Sequence, residues 1–146
     1  MHGLCGQACD RISFWPVTLT GMMAIPKTPC PVRGLVPWGQ GIWPIVWRGP
    51  HPVLGWIYTI HEKPEHGPLQ VHWNVSQADI VRAMEAFAAF KPHQRVPLGP
   101  TAHGRIVARK WSFERGSFFY LIQGARAGSQ WSVEQSELLQ RVQRSG

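Results

Sequence analysis

Two neighbouring strands joined by a polar turn are the most strongly specified structure in this chain. Apolar and polar residues alternate over residues 69–75, and successive strand side chains point to opposite faces of a sheet. The pattern predicts a strand with one apolar face, made by Leu69, Val71, Trp73 and Val75. The segment Trp56–Glu62 also predicts a strand, and residues 63–68 between them are rich in turn formers. The sequence therefore predicts an antiparallel hairpin of residues 56–62 and 69–75.

The polar side of this hairpin brings candidate metal ligands together. If Glu62 pairs with Gln70, then Glu62, Gln70 and His72 converge on one surface, whereas a slip of one residue replaces Glu62 with His61. Carboxylate and amide oxygens and an imidazole nitrogen suit a divalent cation. The alternative is that His72 is a hydrogen-bonded sheet histidine and Glu62 a charge at a strand end.

Residues 1–55 form a segment rich in Pro and Gly. Proline lacks a backbone donor and is excluded from helix interiors and from central strands. Only short strands are expected here, at Phe14–Thr20 and Ile42–Trp47. The sequence thus predicts an N-terminal segment with short strands, followed by an α+β domain over residues 56–146, and no internal repeat is apparent.

After the hairpin, the sequence predicts helices alternating with one more strand. Ser76, with Asp79 three residues on, resembles a helix N-cap. The expected elements are a helix from Ser76 to Lys91-Pro92, a loop over 92–103, a strand over Arg105–Trp111, a helix over Ser117–Ala125 and a terminal helix opened by Ser132 with Gln135. This order predicts an α+β fold with an antiparallel sheet and helices packed on one face.

Charge and composition narrow the function classes. The formal net charge is +7, and eleven of the fifteen basic residues are Arg, whose planar fork matches phosphate geometry. The eight Trp residues add rings on which bases could stack, so one interpretation of the composition is binding of nucleic acid. The alternative is that the positive charge only keeps the protein soluble. Cys5, Cys9 and Cys30 are expected to be free thiols, and a zinc site that they form with His2, at an irregular spacing, is the alternative. With no apolar run long enough for a bilayer and no signal-peptide pattern, we expect a cytoplasmic protein without membrane contacts.

The hairpin and the elements after it resemble the HUH endonucleases, the family of rolling-circle replication initiators and relaxases. The segment Gln70-Val71-His72 takes the place of the family's His-hydrophobic-His strand, and Glu62 that of the ligand on the neighbouring strand. Tyr120-Leu121-Ile122-Gln123 takes the place of the Tyr-x-x-Lys helix, and Val17-Thr18-Leu19-Thr20 is loosely similar to the first strand motif. The chain departs from the family pattern in having Gln70 for the first His and Gln123 for the Lys.

The resemblance implies a ferredoxin-like domain that binds single-stranded DNA. Its metal, Mg or Mn, would be held by Glu62, Gln70 and His72, and Tyr120 would attack a DNA phosphate. Basic residues of the third strand and the next helix would bind the DNA: Arg105, Arg109, Lys110, Arg115 and Arg126. The alternatives are a non-catalytic nucleic-acid-binding protein and an interaction protein of a mobile element. Tyr120 lies in an apolar run, where an aromatic residue is usually part of the core.

Overall fold

The structure is a computed structural model that describes residues 15–16, 29–126 and 128–145. In chain order its elements are β1 Trp15–Pro16, β2 Leu35–Trp38, β3 Gly41–His51, β4 Gly55–Glu62, β5 Gln70–Ser76, α1 Gln77–Phe87, β6 Arg95–Pro97, β7 His103–Ser112, β8 Ser117–Gln123, β9 Gln130–Glu134 and α2 Gln135–Ser145. Among these described residues, neither helix has the length and hydropathy needed to cross a membrane.

The described residues divide into two compact units. The first contains residues 29–87 and 113–116, and the second contains 15–16, 88–112, 117–126 and 128–145. The expected boundary between residues 55 and 56 falls at the turn that joins β3 to β4, two strands paired from Ile45↔Ile60 to His51↔Gly55. Part of the proline-rich segment is therefore built into the same sheet as the predicted hairpin.

The first unit is a four-stranded antiparallel sheet with one helix on it. The strands follow the chain order β2-β3-β4-β5, and α1 contacts β2, β4 and β5. We call the side of the sheet that packs on the helix the helix face and the other side the outer face. The helix face and α1 enclose a core of apolar residues and one tyrosine: Val36, Ile45, Tyr58, Ile60, Val75, Ile80 and Met84.

The second unit is built in the same way. Strands β6, β7, β8 and β9 pair in chain order, β1 also pairs with β7, and α2 contacts β6, β8 and β9. The core again lies between the helix face and the helix, and it contains Val96, Ile106, Phe118, Tyr120, Ile122, Val133 and Leu138.

These units confirm an α+β fold with antiparallel sheets, and in neither is the arrangement clearly ferredoxin-like. The N-cap is also confirmed, since the Asp79 amide donates to Ser76 Oγ at 3.1 Å. A hydrogen bond between the Ser76 side chain and the Asp79 carboxyl is the main cause of the lowered pKa of Asp79. Of the predicted strand Phe14–Thr20, only Trp15–Pro16 is among the described residues, and there it is a strand.

Four sequence predictions about elements are wrong. Residues 117–123 form strand β8 and not a helix, because their alternate side chains Phe118, Tyr120 and Ile122 enter the core. Ser132 lies within β9, so α2 begins at Gln135 without it. The predicted loop 92–103 contains β6, and α1 ends at Phe87, before Lys91-Pro92.

Each unit is built on one ββββα repeat, which the sequence did not reveal, and residues 113–116, which join two strands of the second repeat, belong to the first unit. The first repeat spans residues 30–87 and the second spans residues 90–145. A register shift falls at the same place in both, between Ile45 and Trp47 of β3 and between Ile106 and Ala108 of β7. Before the first strand of each repeat, Arg33 and His93 both have positive φ, 73° and 63°. Their amides donate to Ile45 O and Ile106 O at 2.6 and 3.1 Å.

A cluster of Arg, Tyr and Gln also occurs at equivalent positions of the two repeats. Arg48 lies opposite Tyr58 in the first sheet, and Arg109 lies opposite Tyr120 in the second. Each tyrosine hydroxyl hydrogen-bonds to the glutamine that begins the following helix, Gln77 or Gln135. Each arginine donates to a carbonyl of the segment before the first strand, Arg48 to Cys30 at 3.1 Å and Arg109 to Phe90 at 3.2 Å. The cluster ties that segment, the sheet and the helix together in both repeats.

Cys30 is part of this cluster in the first repeat and is expected to be inert. Its side chain is buried and makes no disulfide, and its amide donates to the Tyr58 hydroxyl at 2.9 Å. Burial raises the pKa of the thiol from 9.0 to about 11. The thiolate fraction near pH 8 is then roughly 100-fold lower than that of a free cysteine, so we expect iodoacetamide to modify Cys30 only after denaturation. Peptide mass spectrometry checks this, and rapid alkylation of the native protein would contradict it.

The same pKa predicts how stability depends on alkaline pH. A raised pKa means that the folded protein favours the protonated thiol, so this contribution is complete below pH 9 and is lost as the pH rises towards about 11. Burial also raises the pKa of the Tyr58 hydroxyl, which acts in the same direction. We expect the melting temperature to fall over this range, and to fall less steeply in Cys30→Ala. An equal fall in both proteins would show that the thiol contributes nothing.

Candidate nucleic-acid interface

Two of the three predicted metal ligands touch each other in the structure. Glu62 pairs with Gln70, which is the predicted register, and His72 Nε2 lies 2.8 Å from Glu62 Oε1. Both side chains are partly buried, and the Trp38 ring lies 6.0 Å from the His72 ring, centroid to centroid. Gln70 is exposed opposite Glu62. His61, the alternate ligand, pairs with Val71 and therefore lies on the other face of the sheet.

The donor atoms only partly fit a divalent ion. Two neighbouring ligands of an octahedral ion with bonds of about 2.1 Å lie about 3 Å apart, which is close to the Glu62–His72 contact. A hydrogen bond between the same two atoms explains the contact equally well. In the described part of the chain, no group of three or more His, Cys, Asp and Glu side chains is placed to hold a metal. Of the possible zinc set, only Cys30 lies among the described residues.

The hairpin does not have the apolar face that alternation predicted. Leu69 and Trp73 are exposed, and Val75 is buried on the same face as His72. A bulge in β5 causes this, because Ile60 pairs with His72 but Tyr58 pairs with Val75. The extra residue and the positive φ of Asn74, 56°, reverse the alternation within the strand.

Tyr120 is not placed as a nucleophile. It lies on β8 and not on a helix, and its side chain is fully buried in the second unit. Its hydroxyl donates to Gln135 Oε1 at 2.6 Å, and its ring packs edge-on against Phe90. A hydroxyl held in this way is a structural element of the core, since a nucleophile must reach the phosphate that it attacks.

The predicted basic residues divide into surface and core. Arg105, Arg115 and Arg126 are exposed. Arg109 is buried, with its guanidinium 5.7 Å from the centre of the Phe118 ring. Lys110 is buried beside Phe119, and burial lowers its pKa. Arg109 therefore points into the core of the second unit with Tyr120, whereas Lys110 is buried on the outer face with Phe119, and neither residue adds to the surface charge.

A line of four exposed polar side chains crosses the outer face of the second repeat. Arg95 pairs with Arg105, Arg105 with Gln123, and Gln123 with Gln130, so the four residues lie directly opposite one another on successive strands. We call them the Arg/Gln row. Their neighbours Ile106 and Ile122 point into the core, which places the row on the outer face. With neighbouring strands about 4.8 Å apart, the row is roughly 14 Å long.

Among the described residues, the arginines of this row, Arg95 and Arg105, have no carboxylate as a partner. By contrast, Arg82 pairs with Asp79 on α1, and Arg141 pairs with Glu137 on α2. The outer face of the second repeat therefore has an unneutralised positive edge beside two carboxamides.

The sequence pointed to only one member of this row, Arg105. Arg95 was assigned to a loop, while Gln123 was assigned to a helix and to the place of a family lysine. The row is identified only by the register in which four strands pair. The sequence allowed a register to be predicted only for the hairpin of residues 56–75, which lies in the other sheet.

Comparisons with known proteins assign no family to this fold or site. No protein-family model matches the chain, and no match is found among curated proteins or among solved structures. The resemblance to the HUH endonucleases therefore depends only on the residues that suggested it, and the function has to be argued from the geometry.

Proposed function

We propose that this protein binds single-stranded DNA through the Arg/Gln row of the second repeat and does not cleave it. The observation that carries the proposal is the pair Arg95 and Arg105. Like charges placed directly opposite each other on neighbouring strands destabilise a sheet. An exposed guanidinium pair without a carboxylate is well suited to a polyanion, because each planar fork can bind a phosphate with two hydrogen bonds.

A single strand fits this face better than a duplex. The exposed carboxamides of Gln123 and Gln130 can donate to and accept from base edges, and those edges are all accessible only when bases are unpaired. The face is a sheet and not a projecting helix that would enter a major groove. On both helices an exposed arginine is already neutralised, Arg82 by Asp79 and Arg141 by Glu137.

The proposal is tested by the salt dependence of binding. Fluorescence anisotropy of labelled oligo-dT is measured between about 50 and 200 mM salt, with a duplex of equal length as the comparison. Each phosphate contact contributes about −0.7 to the slope of log K against log salt on a single strand, so two arginines give about −1.4. We expect a slope at least this steep and tighter binding of the single strand. Salt-independent binding, or none, would refute the proposal.

Metal-dependent nicking is the second candidate, and the Glu62–His72 contact favours it. A relationship to the HUH endonucleases and a ferredoxin-like scaffold belong to this candidate, with Mg or Mn held by Glu62, Gln70 and His72. The metal would polarise a phosphate oxygen, but the attack also requires the Tyr120 hydroxyl, which is buried and bonded to Gln135.

We therefore expect no covalent adduct. When the protein is incubated with single-stranded DNA and Mn²⁺, a denaturing gel should show no shifted, denaturation-resistant band, and Tyr120→Phe should behave like the unaltered chain. A band present in the unaltered chain and lost in Tyr120→Phe would establish tyrosine-linked nicking. If the gel shows no adduct and the anisotropy experiment shows no salt-dependent binding, the third alternative is favoured, an interaction protein of a mobile element.

A further inference from the structure

The outer faces of the two repeats have equivalent positions but different chemistry. In the second repeat, the row next to the Arg/Gln row is Ala108, Leu121 and Ser132. In the first repeat, the register shift in β3 places Trp47 at the position of Ala108, opposite Thr59. The duplicated fold thus presents an indole ring in one copy where the other has a methyl group.

A second tryptophan lies on the same line across the first sheet. Trp73 falls in the β5 bulge, between His72, which pairs with Ile60, and Val75, which pairs with Tyr58. It is therefore level with Thr59, and its separation from Val71 by two residues places it on the outer face. Thr59, a small residue and itself buried, lies on the strand between the two tryptophans.

Both indole rings are available to a ligand. The side chain of Trp47 is 51% exposed and that of Trp73 is 69% exposed. Within the described residues, neither ring has an aromatic or hydrogen-bonding partner. Strands β3 and β5 are two strand spacings apart, about 10 Å, so the rings do not stack on each other and each can accept a different base.

The charge of this face also admits a nucleic acid. Strands β2 to β5 contain one acidic residue, Glu62, and the register places it on the helix face with Ile60. The outer-face positions of these strands are apolar or neutral, so nothing there repels phosphates, while the rings offer sequence-tolerant stacking to unpaired bases.

We propose that the first repeat stacks unpaired bases on Trp47 and Trp73, while the second repeat binds phosphates. This inference rests on the proposed binding of single-stranded DNA and assigns a separate role to each copy of the ββββα fold. The contribution of the bases and that of the phosphates respond to different changes in the DNA.

The test compares oligo-dT with an abasic oligonucleotide of the same length. Removing the bases leaves every phosphate in place, so only the contacts to bases are lost, which are stacking on the tryptophans and the carboxamide contacts of the second repeat. Stacking contributes about 5- to 100-fold in affinity per base, and we expect the unaltered chain to bind oligo-dT at least tenfold more tightly than the abasic strand. In the double variant Trp47→Ala, Trp73→Ala this preference should fall at least fivefold, because only the carboxamide contacts to bases remain. Leu54→Ala, which removes an exposed apolar side chain from the β3–β4 turn, should retain it.

The outcomes distinguish base stacking by the first repeat from the binding of single-stranded DNA on which it rests. Equal binding of the two oligonucleotides by the unaltered chain, with the salt dependence intact, would overturn the stacking role and leave phosphate binding standing. A preference that is undiminished in the double tryptophan variant would also overturn the stacking role. Loss of all binding in the unaltered chain would refute the proposed function itself. Circular dichroism of each variant confirms that the fold is retained.

Discussion

Replacing Arg95 and Arg105 together by serine is expected to weaken the binding of single-stranded DNA by roughly 100-fold or more at low salt. Hydrogen bonds to charged groups contribute about 1.5 kcal/mol or more each when both partners are well placed, and two such contacts are removed. The slope of log K against log salt should become shallower by about 1.4, because two phosphate contacts are lost. Anisotropy titrations at several salt concentrations measure both quantities.

A control variant with the same net charge makes this test specific. Arg82→Ser with Arg141→Ser also removes two exposed arginines and lowers the net charge from +7 to +5, but it removes arginines that are paired with Asp79 and Glu137. This control should keep most of its affinity and its slope. Equal weakening in both double variants would mean that net charge alone attracts the DNA, and that the Arg/Gln row is not the site.

Replacing Arg95 and Arg105 by serine should not lower the stability of the protein. Arg95 and Arg105 are exposed and directly opposite each other, so their removal relieves repulsion across β6 and β7. A melting temperature that is unchanged or slightly higher, together with weaker binding, is the behaviour of residues retained for a ligand. A large fall in melting temperature would indicate a structural role.

Replacing Gln135 by alanine is expected to destabilise the second unit by about 2–4 kcal/mol. Gln135 Oε1 accepts hydrogen bonds from the Tyr120 hydroxyl at 2.6 Å and from the Ala89 amide at 3.0 Å. The variant removes this acceptor from the buried Tyr120 hydroxyl, which costs about 1–3 kcal/mol, and from the part-buried Ala89 amide, which costs less because Ala89 is exposed. Urea denaturation followed by circular dichroism and tryptophan fluorescence measures the loss.

Two further variants show whether the loss of stability in Gln135→Ala comes from the donors that lose their acceptor. Tyr120→Phe removes one donor and leaves Gln135 bonded to Ala89, so we expect a smaller loss of about 0.5–1.5 kcal/mol. Gln140→Ala changes an exposed glutamine on the same helix and should be nearly neutral. If Gln135→Ala costs less than about 0.5 kcal/mol, the Arg, Tyr and Gln cluster does not hold the repeat together.

The repeat is not apparent in the sequence because equivalent residues, such as Gln77 and Gln135, are few and widely separated. The matched residues are isolated positions on the helix face, such as Tyr58 and Tyr120, separated by stretches that differ. Turns also differ in length, since residues 39–40 join β2 to β3 whereas residues 98–102 join β6 to β7. The outer faces share almost no chemistry. Packing constrains the helix face in both copies, and each outer face is free to differ.

Local interactions determined the parts of the structure that the sequence predicted correctly. The hairpin register Glu62↔Gln70 follows from a polar turn between two strands, and the cap at Ser76 follows from a hydroxyl three residues before Asp79. Both involve groups close together in the chain, so residue type and spacing were sufficient to identify them.

Tertiary packing decided the rest. The run Phe118 to Ile122 is apolar throughout, so no periodicity distinguishes a strand from a helix, and only the sheet between β7 and β9 makes it a strand. That change removes Tyr120 from a nucleophile's position and places Gln123 beside Arg105. The Arg/Gln row joins residues up to 35 positions apart in the chain, from Arg95 to Gln130. Composition fixed the positive charge of this protein, but only strand register decided which arginines it presents to a ligand and which it buries in its core.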